Sequence, residues 1–202
     1  MTIALIEDDE AVLDSLKLLL ESRGMNVRTF ASAEAYLAAG KGDAFACIVS
    51  DVRLPGLSGL DLQRYLGQAG CKAPLILITG HGDIPMAVAA IKSGAFDFLE
   101  KPYDAEHLMR QIEKASAAGQ QIQLEESQKA ELLAKMAELS PRQKEVMELV
   151  TEGLSNKQIA ARLGISPRTV ENYRAWVMER LGATSLADLV RKALAARGAD
   201  NN

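Results

Sequence analysis

Asp51 follows a short apolar run, Phe45-Ala46-Cys47-Ile48-Val49, and precedes the turn residues Leu54-Pro55-Gly56 and Ser58-Gly59. A run of that length and composition suits a strand buried on both faces of a parallel sheet. Asp51 then stands at the carboxyl edge of the sheet, where open α/β folds bind their ligands. Alone, an aspartate after a strand serves as readily as a helix cap or turn former. Three other apolar runs end in residues that could work with it. Residues 3–6 run into Glu7-Asp8-Asp9, residues 75–78 into Thr79-Gly80-His81-Gly82, and residues 95–100 into Lys101-Pro102. In a parallel sheet these ends share one edge. Two or three carboxylates with a lysine make a hard-cation site for Mg²⁺ beside an ammonium that binds phosphate. The chemistry that needs this set is phosphoryl transfer onto a carboxylate. Asp51 is the candidate nucleophile. Mg²⁺ and Lys101 would neutralise the equatorial oxygens, and Thr79 would donate a hydrogen bond to one of them.

The elements around these ends alternate. Val12, Leu16, Leu19 and Leu20 recur at helical spacing, with Gly24 as the stop. Residues 26–30 read as a strand, and Ser32 caps a short helix to about 39. Ser58 caps a helix to about 69, with Leu60, Leu62, Tyr65 and Leu66 as inward positions. Residues 86–93 form a helix ended by Gly94. Asp104 caps the next helix, which carries Leu108 and Ile112. Strand and helix alternate five times, giving a five-stranded parallel, doubly wound sheet with helices on both faces. Residues 120–137 are rich in Gln, Glu, Lys, Ala and Leu and hold no proline. One extended helix, two helices joined at Gly119, or a flexible tether all fit that composition. The tail reads as four short helices. Ser140-Pro141, Ser155, Ser166-Pro167 and Ser185 start them, and Gly153 and Gly164 end two of them. Residues 155–163 and 166–181, joined by Gly164-Ile165, have the helix-turn-helix pattern. Residues 198–202 are expected to fray.

The chain resembles a known family in two places. Glu7-Asp8, Asp51, Thr79, Phe98 and Lys101-Pro102 match the pattern of response-regulator receiver domains over residues 1–116. The run LSNKQIAARLGISPRTVENYRA lies in a segment similar to the LuxR-type helix-turn-helix domain of the FixJ/NarL family, residues 137–202. A helical linker, 117–136, would join the two. The resemblance implies that Asp51 is the phosphorylated residue. It implies that Asp8 and Asp51 bind Mg²⁺ directly, the Arg53 carbonyl contributes, and Glu7 acts through water. The family usually has Asp where this chain has Glu7. The Lys101-Pro102 bond is cis in the family. Thr79 and Phe98 act there as a switch, the hydroxyl moving to the phosphoryl group and the ring turning inward behind it. By residue type alone, Lys101-Pro102 could be an ordinary strand exit, Thr79 a local hydrogen-bond partner and Phe98 plain core. Asp9 reads as the cap of the first helix. Arg53 and His81 flank the site, where a side chain could position or exclude water, although His81 also reads as a surface residue.

In the tail, Val170, Tyr173, Val177 and Leu181 fall on one face of the third helix as core. Glu171, Asn172 and Ala175 fall opposite and could reach base edges. Lys157, Arg168, Thr169 and Arg174 are placed to meet phosphates. Trp176 could pack against the last helix or sit at a dimer contact.

Composition narrows the alternatives. Of 202 residues, 48% are hydrophobic, enough for a core. No apolar run approaches the roughly 20 residues of a membrane span. No basic leader precedes the first strand, so a signal peptide is not expected. Cys47 and Cys71 have no metal-ligand company and read as reduced packing residues. Residues 1–136 carry 13 Lys and Arg against 19 Asp and Glu, and residues 137–202 carry 10 against 8. The acidic front suits a cation site, and the mildly basic tail is compatible with nucleic acid.

The expected protein is a cytoplasmic, phosphorylation-gated transcription regulator and not an enzyme. Its implied partners are a sensor histidine kinase, a second copy of itself when phosphorylated, double-stranded promoter DNA and RNA polymerase, with no membrane. Similarity to the FixJ branch implies oxygen-linked control of nitrogen fixation or respiration genes. A Mg²⁺-dependent phosphatase or phosphotransferase also uses a strand-end aspartate. Against it, the chain has no lid-sized insertion and spends its last third on a DNA-binding pattern. Ungated DNA binding is a third reading.

Overall fold

The structure, a computed structural model, describes residues 1–39, 45–80 and 84–197. The chain forms two compact units, residues 1–123 and 124–202. The first contains strands β1 (Thr2–Ile6), β2 (Asn26–Phe30), β3 (Cys47–Asp51), β4 (Leu75–Thr79) and β5 (Asp97–Glu100). Between them lie helices α1 (Glu10–Ser22), α2 (Ala33–Ala38), α3 (Gly59–Gln68) and α4 (Ile84–Lys92). Helix α5 (Ala105–Ala137) begins in this unit. All strand pairs are parallel, in the order β2-β1-β3-β4-β5.

Successive side chains on a strand point to opposite faces, and here that alternation divides the core in two. Ile3, Leu5, Cys47, Val49, Ile76 and Ile78 face Leu16 and Leu20 of α1 and Leu108, Met109 and Ile112 of α5. Ala4, Ile6, Ile48, Leu75 and Leu77 face Ala33 of α2, Leu62 and Leu66 of α3 and Ala90 of α4. The central strands are buried on both sides, which is why they read as unbroken apolar runs. Strand β3 extends two residues past the run at 45–49, so Asp51 is its last residue.

One helix expectation is corrected, and one left open is decided in favour of a single extended helix. In α3, Tyr65 is exposed, and the buried position beside it is Gln63, whose amide donates to the Ala90 carbonyl at 2.7 Å. Helix α5 is unbroken at Gly119. That glycine is buried, and a Cβ added to it would lie 2.8 Å from Pro74 Cδ. It permits close approach to Pro74 and does not end the helix. Residues 120–131 of α5 are exposed all round.

The second unit comprises the end of α5, then α6 (Pro141–Thr151), α7 (Asn156–Leu163), α8 (Pro167–Arg180) and α9 (Leu186–Arg197). Ser140 and Ser155 close reciprocal capping boxes with Gln143 and Gln158, and Ser166 caps α8. The core is built from Leu139, Val146, Val150, Ile159, Val170, Val177 and Leu181, with Leu189 from α9. Leu132 and Met136 of α5 pack against it.

Candidate functional site

Parallel register puts the strand ends side by side: Ile6 pairs with Ser50, Asp51 with Ile78, and Thr79 with Glu100. Three sequence-predicted residues meet there. Lys101 Nζ donates to Asp51 Oδ2 at 2.5 Å and to Glu7 Oε2 at 2.8 Å. Asp51 Oδ1 accepts the Arg53 N–H at 2.7 Å. Glu7 and Asp51 are only 4% and 8% exposed, so these charges are weakly screened. Burial pushes the Glu7 pKa up and the Asp51 charge adds to this, outweighing the pull of Lys101. Burial works to lower the Lys101 pKa, but its bonds to Asp51 and Glu7 and their charges raise it. The lysine is therefore a fixed cation between two carboxylates.

Thr79 is fully buried, and its carbonyl accepts the Lys101 N–H at 2.7 Å. The Lys101-Pro102 bond is cis. Phe98 is half-buried against the second sheet-face core. Asp8 is exposed beside Glu7, and Arg53 is exposed at the loop. Asp9 caps α1, accepting from Ala11 N at 2.9 Å and Val12 N at 3.2 Å. His81 lies outside the described residues.

Two residues near the site were not singled out from the sequence. Tyr103 is partly buried; burial raises its pKa, the Lys101 charge pulls it down, and the Glu7 and Asp51 charges add to the rise. Its only signal was its place after Lys101-Pro102. Glu34, on α2, accepts the Leu57 N–H at 2.8 Å. Nothing in the spacing of a residue 23 positions upstream points to that bond.

The donor set suits a divalent cation that keeps part of its water shell. Among the described residues no three His, Cys, Asp or Glu side chains form a ready cage. Mg²⁺ does not need one: it binds through one or two carboxylates, waters and phosphate oxygens. Two neighbouring carboxylates against one ammonium leave negative charge for it to neutralise.

In the second unit, α7 and α8 are joined by Gly164, in the left-handed region at φ 66°, and Ile165. Lys157, Arg168, Glu171, Asn172 and Ala175 are exposed, while Thr169 and Arg174 are half-buried. Arg168 Nη1 pairs with Glu171 Oε2 at 3.2 Å. Thr169 donates its N–H to Ser166 Oγ at 3.0 Å, completing the α8 cap. Arg174 Nη1 donates to Asn156 Oδ1, tying α8 to the start of α7. Trp176 is 49% exposed, beside Glu179 and Arg180.

Comparison with known proteins agrees with both halves. Residues 3–113 match the response regulator receiver domain, and residues 137–193 match the bacterial regulatory proteins of the luxR family. The chain is 46% identical to the transcriptional regulatory protein FixJ of Bradyrhizobium diazoefficiens, over 96% of this chain and 95% of that one. Among solved structures, the response regulator StyR aligns with a TM-score of 0.85 and 37% identity, covering 95% of this chain and 97% of that one. Full-length FixJ from B. japonicum aligns with a TM-score of 0.60 and 46% identity, covering 98% and 97%. The chain belongs to the response regulators that join a receiver domain to a luxR-type helix-turn-helix domain. It is a phosphorylation-responsive transcription regulator of that family.

Proposed function

We propose that a sensor histidine kinase donates a phosphoryl group to Asp51, and that the modified chain dimerises and binds paired promoter half-sites. The observation that carries this reading is the Lys101 ammonium shared by Asp51 and Glu7 at the carboxyl edge of the sheet. An Asp51 oxygen attacks phosphorus in line, and the donor histidine leaves. Glu7, Asp8, Asp51 and the Arg53 carbonyl would hold Mg²⁺, which supplies charge neutralisation for the phosphoryl oxygens. Lys101 is already within reach of the acceptor and passes from the carboxylate to the incoming oxygens. Thr79 then donates its hydroxyl to the phosphoryl group and Phe98 follows it inward, shifting a two-state element.

Beside Phe98, α4 leaves Ile84, Val88 and Ile91 exposed, with Phe96 next to β5. That apolar surface is the proposed contact between phosphorylated copies. Two helix-turn-helix domains then meet DNA at a fixed spacing. Lys157, Arg168, Thr169 and Arg174 contact phosphates, and Glu171, Asn172 and Ala175 face base edges. The regulated genes are proposed to be FixJ-like, under oxygen-linked control of nitrogen fixation or respiration, and read by RNA polymerase in the cytoplasm. No catalytic turnover of phosphate esters is expected.

The test combines labelling with DNA binding. With Mg²⁺ and a small phosphodonor the protein should gain one phosphoryl group by mass, and Asp51→Asn should gain none. Labelled wild type should bind promoter DNA more tightly than unlabelled. Undiminished labelling of the variant would sink the Asp51 assignment, and equal DNA affinity in both states would favour ungated binding.

A further inference from the structure

Val52 N, on the Ile78 carbonyl at 2.8 Å, and the Ser58–Asp61 capping box hold the two ends of the loop that leads from Asp51 into α3, and three further bonds hold it between them. Gly59 N donates to the Val52 carbonyl at 3.0 Å and closes its base. The Arg53 N–H sits on Asp51 Oδ1 at 2.7 Å and ties its start to the acceptor. The third tie comes from another element: Leu57 N donates to Glu34 Oε1 at 2.8 Å. The same carboxylate covers Gly56. Residue 56 has φ +76°, and a Cβ there would lie 2.3 Å from Glu34 Oε1. Gly56 thus supplies both a left-handed turn and the space the Glu34 carboxylate fills. Glu34 is in turn seated in the first turn of α2, which Ser32 caps. The bond from Leu57 holds its carboxyl below the usual carboxylate range.

We propose that Glu34 is a positioning residue for phosphoryl transfer to Asp51. By anchoring Gly56 and Leu57 it fixes the backbone of Arg53, whose N–H holds the acceptor carboxylate. The inference rests on the reading of Asp51 as acceptor. Glu34 is exposed, so a Leu57 N–H that loses it turns to water at small cost in stability. The larger effect falls on the chemistry, because a looser loop places the acceptor in attacking geometry less often.

The experiment uses full-length wild type, Glu34→Gln and Glu34→Ala. Three quantities are measured: amide exchange at Leu57 without metal, phosphoryl uptake from acetyl phosphate with Mg²⁺, and the melting temperature. Glu34→Ala should exchange Leu57 about tenfold faster and take up phosphoryl several-fold more slowly, melting within a few degrees of wild type. Glu34→Gln keeps an acceptor oxygen and should stay within about twofold of wild type on both rates. Wild-type rates in Glu34→Ala, with labelling of wild type intact, would overturn this inference alone. Slow uptake in both variants with matched losses of melting temperature would make Glu34 a stabilising residue and also overturn it. A wild type that accepts no phosphoryl would overturn the acceptor reading and this inference together.

Discussion

Glu7 sits at the end of β1 with its carboxyl buried, and burial makes it harder to ionise in the folded chain than in the unfolded one. A carboxyl with a raised folded pKa stabilises the fold at low pH. That contribution is whole below its ordinary value of 4.5 and is lost as pH rises through the raised folded value. Replacing it with glutamine removes the loss. Measured by thermal melts without divalent cations, Glu7→Gln should therefore gain stability relative to wild type as pH climbs from the acid range to 7. Parallel pH profiles for the two proteins would show that Glu7 ionises at no cost. The lysine acts in the opposite sense. Lys101→Ala leaves two close, poorly solvated carboxylates without their cation, and should cost about 1–3 kcal/mol at pH 7 in urea unfolding. An unchanged urea midpoint would mean that the pair contributes nothing net. Glu7, Asp51, Thr79 and Lys101 could be read from the sequence because each closes an apolar run, and parallel topology brings run ends together. Glu34 and the Arg174–Asn156 tether could not. Each depends on a side chain crossing between elements, which no periodicity encodes.

Among the elements, α5 shows how one residue type carries opposite signs in two helices. A helix-interior glycine replaced by alanine gains up to about 1 kcal/mol from propensity. Gly67, in α3, has nothing within 4 Å of an added Cβ, so Gly67→Ala should stabilise the receiver by that order. At Gly119 the Cβ meets the Pro74 ring at 2.8 Å and 3.2 Å and the Ala46 carbonyl at 3.3 Å. Overpacking of about 1–3 kcal/mol outweighs the propensity gain, so Gly119→Ala should destabilise. Chemical denaturation of both variants checks the pair, and a stabilised Gly119→Ala would show that the Pro74 contact is soft. The helix itself was foreseeable from composition as one of several outcomes. Its continuity was one of the alternatives left open, because a glycine in sequence looks the same whether it breaks a helix or lets it approach a neighbour. The far end of α5 carries a second consequence. Leu132 and Met136 pack into the core of the DNA-binding unit. A fragment of residues 124–202 should be more stable than one of residues 137–202 by about 2 kcal/mol, from the apolar area of those two side chains. Equal urea midpoints for the two fragments would make that contact dispensable.

For the whole molecule, charge and multivalency set the expected behaviour. The front half is net acidic, which disfavours contact with DNA phosphates, and the tail has a small excess of basic residues. On the proposed reading one tail makes few phosphate contacts, and two act together for useful affinity. The phosphorylated protein should show about twice the slope of log affinity against log salt shown by the 124–202 fragment, and should run at twice its monomer mass. DNA titrations at several salt concentrations, paired with light scattering, measure both. A monomer that binds as tightly as the phosphorylated form, with the fragment's slope, would rule out pairing as the gate.

Trp176 is the chain's one tryptophan, half-exposed on the helix proposed to face DNA. The molecule therefore carries its own optical label, placed on α8 with no tryptophan background from the receiver. Its emission should shift when α8 meets a duplex and stay unchanged when Asp51 is phosphorylated without DNA. The coupling between the two events then becomes visible in unlabelled protein, by adding phosphodonor and DNA in either order and recording which addition moves the spectrum.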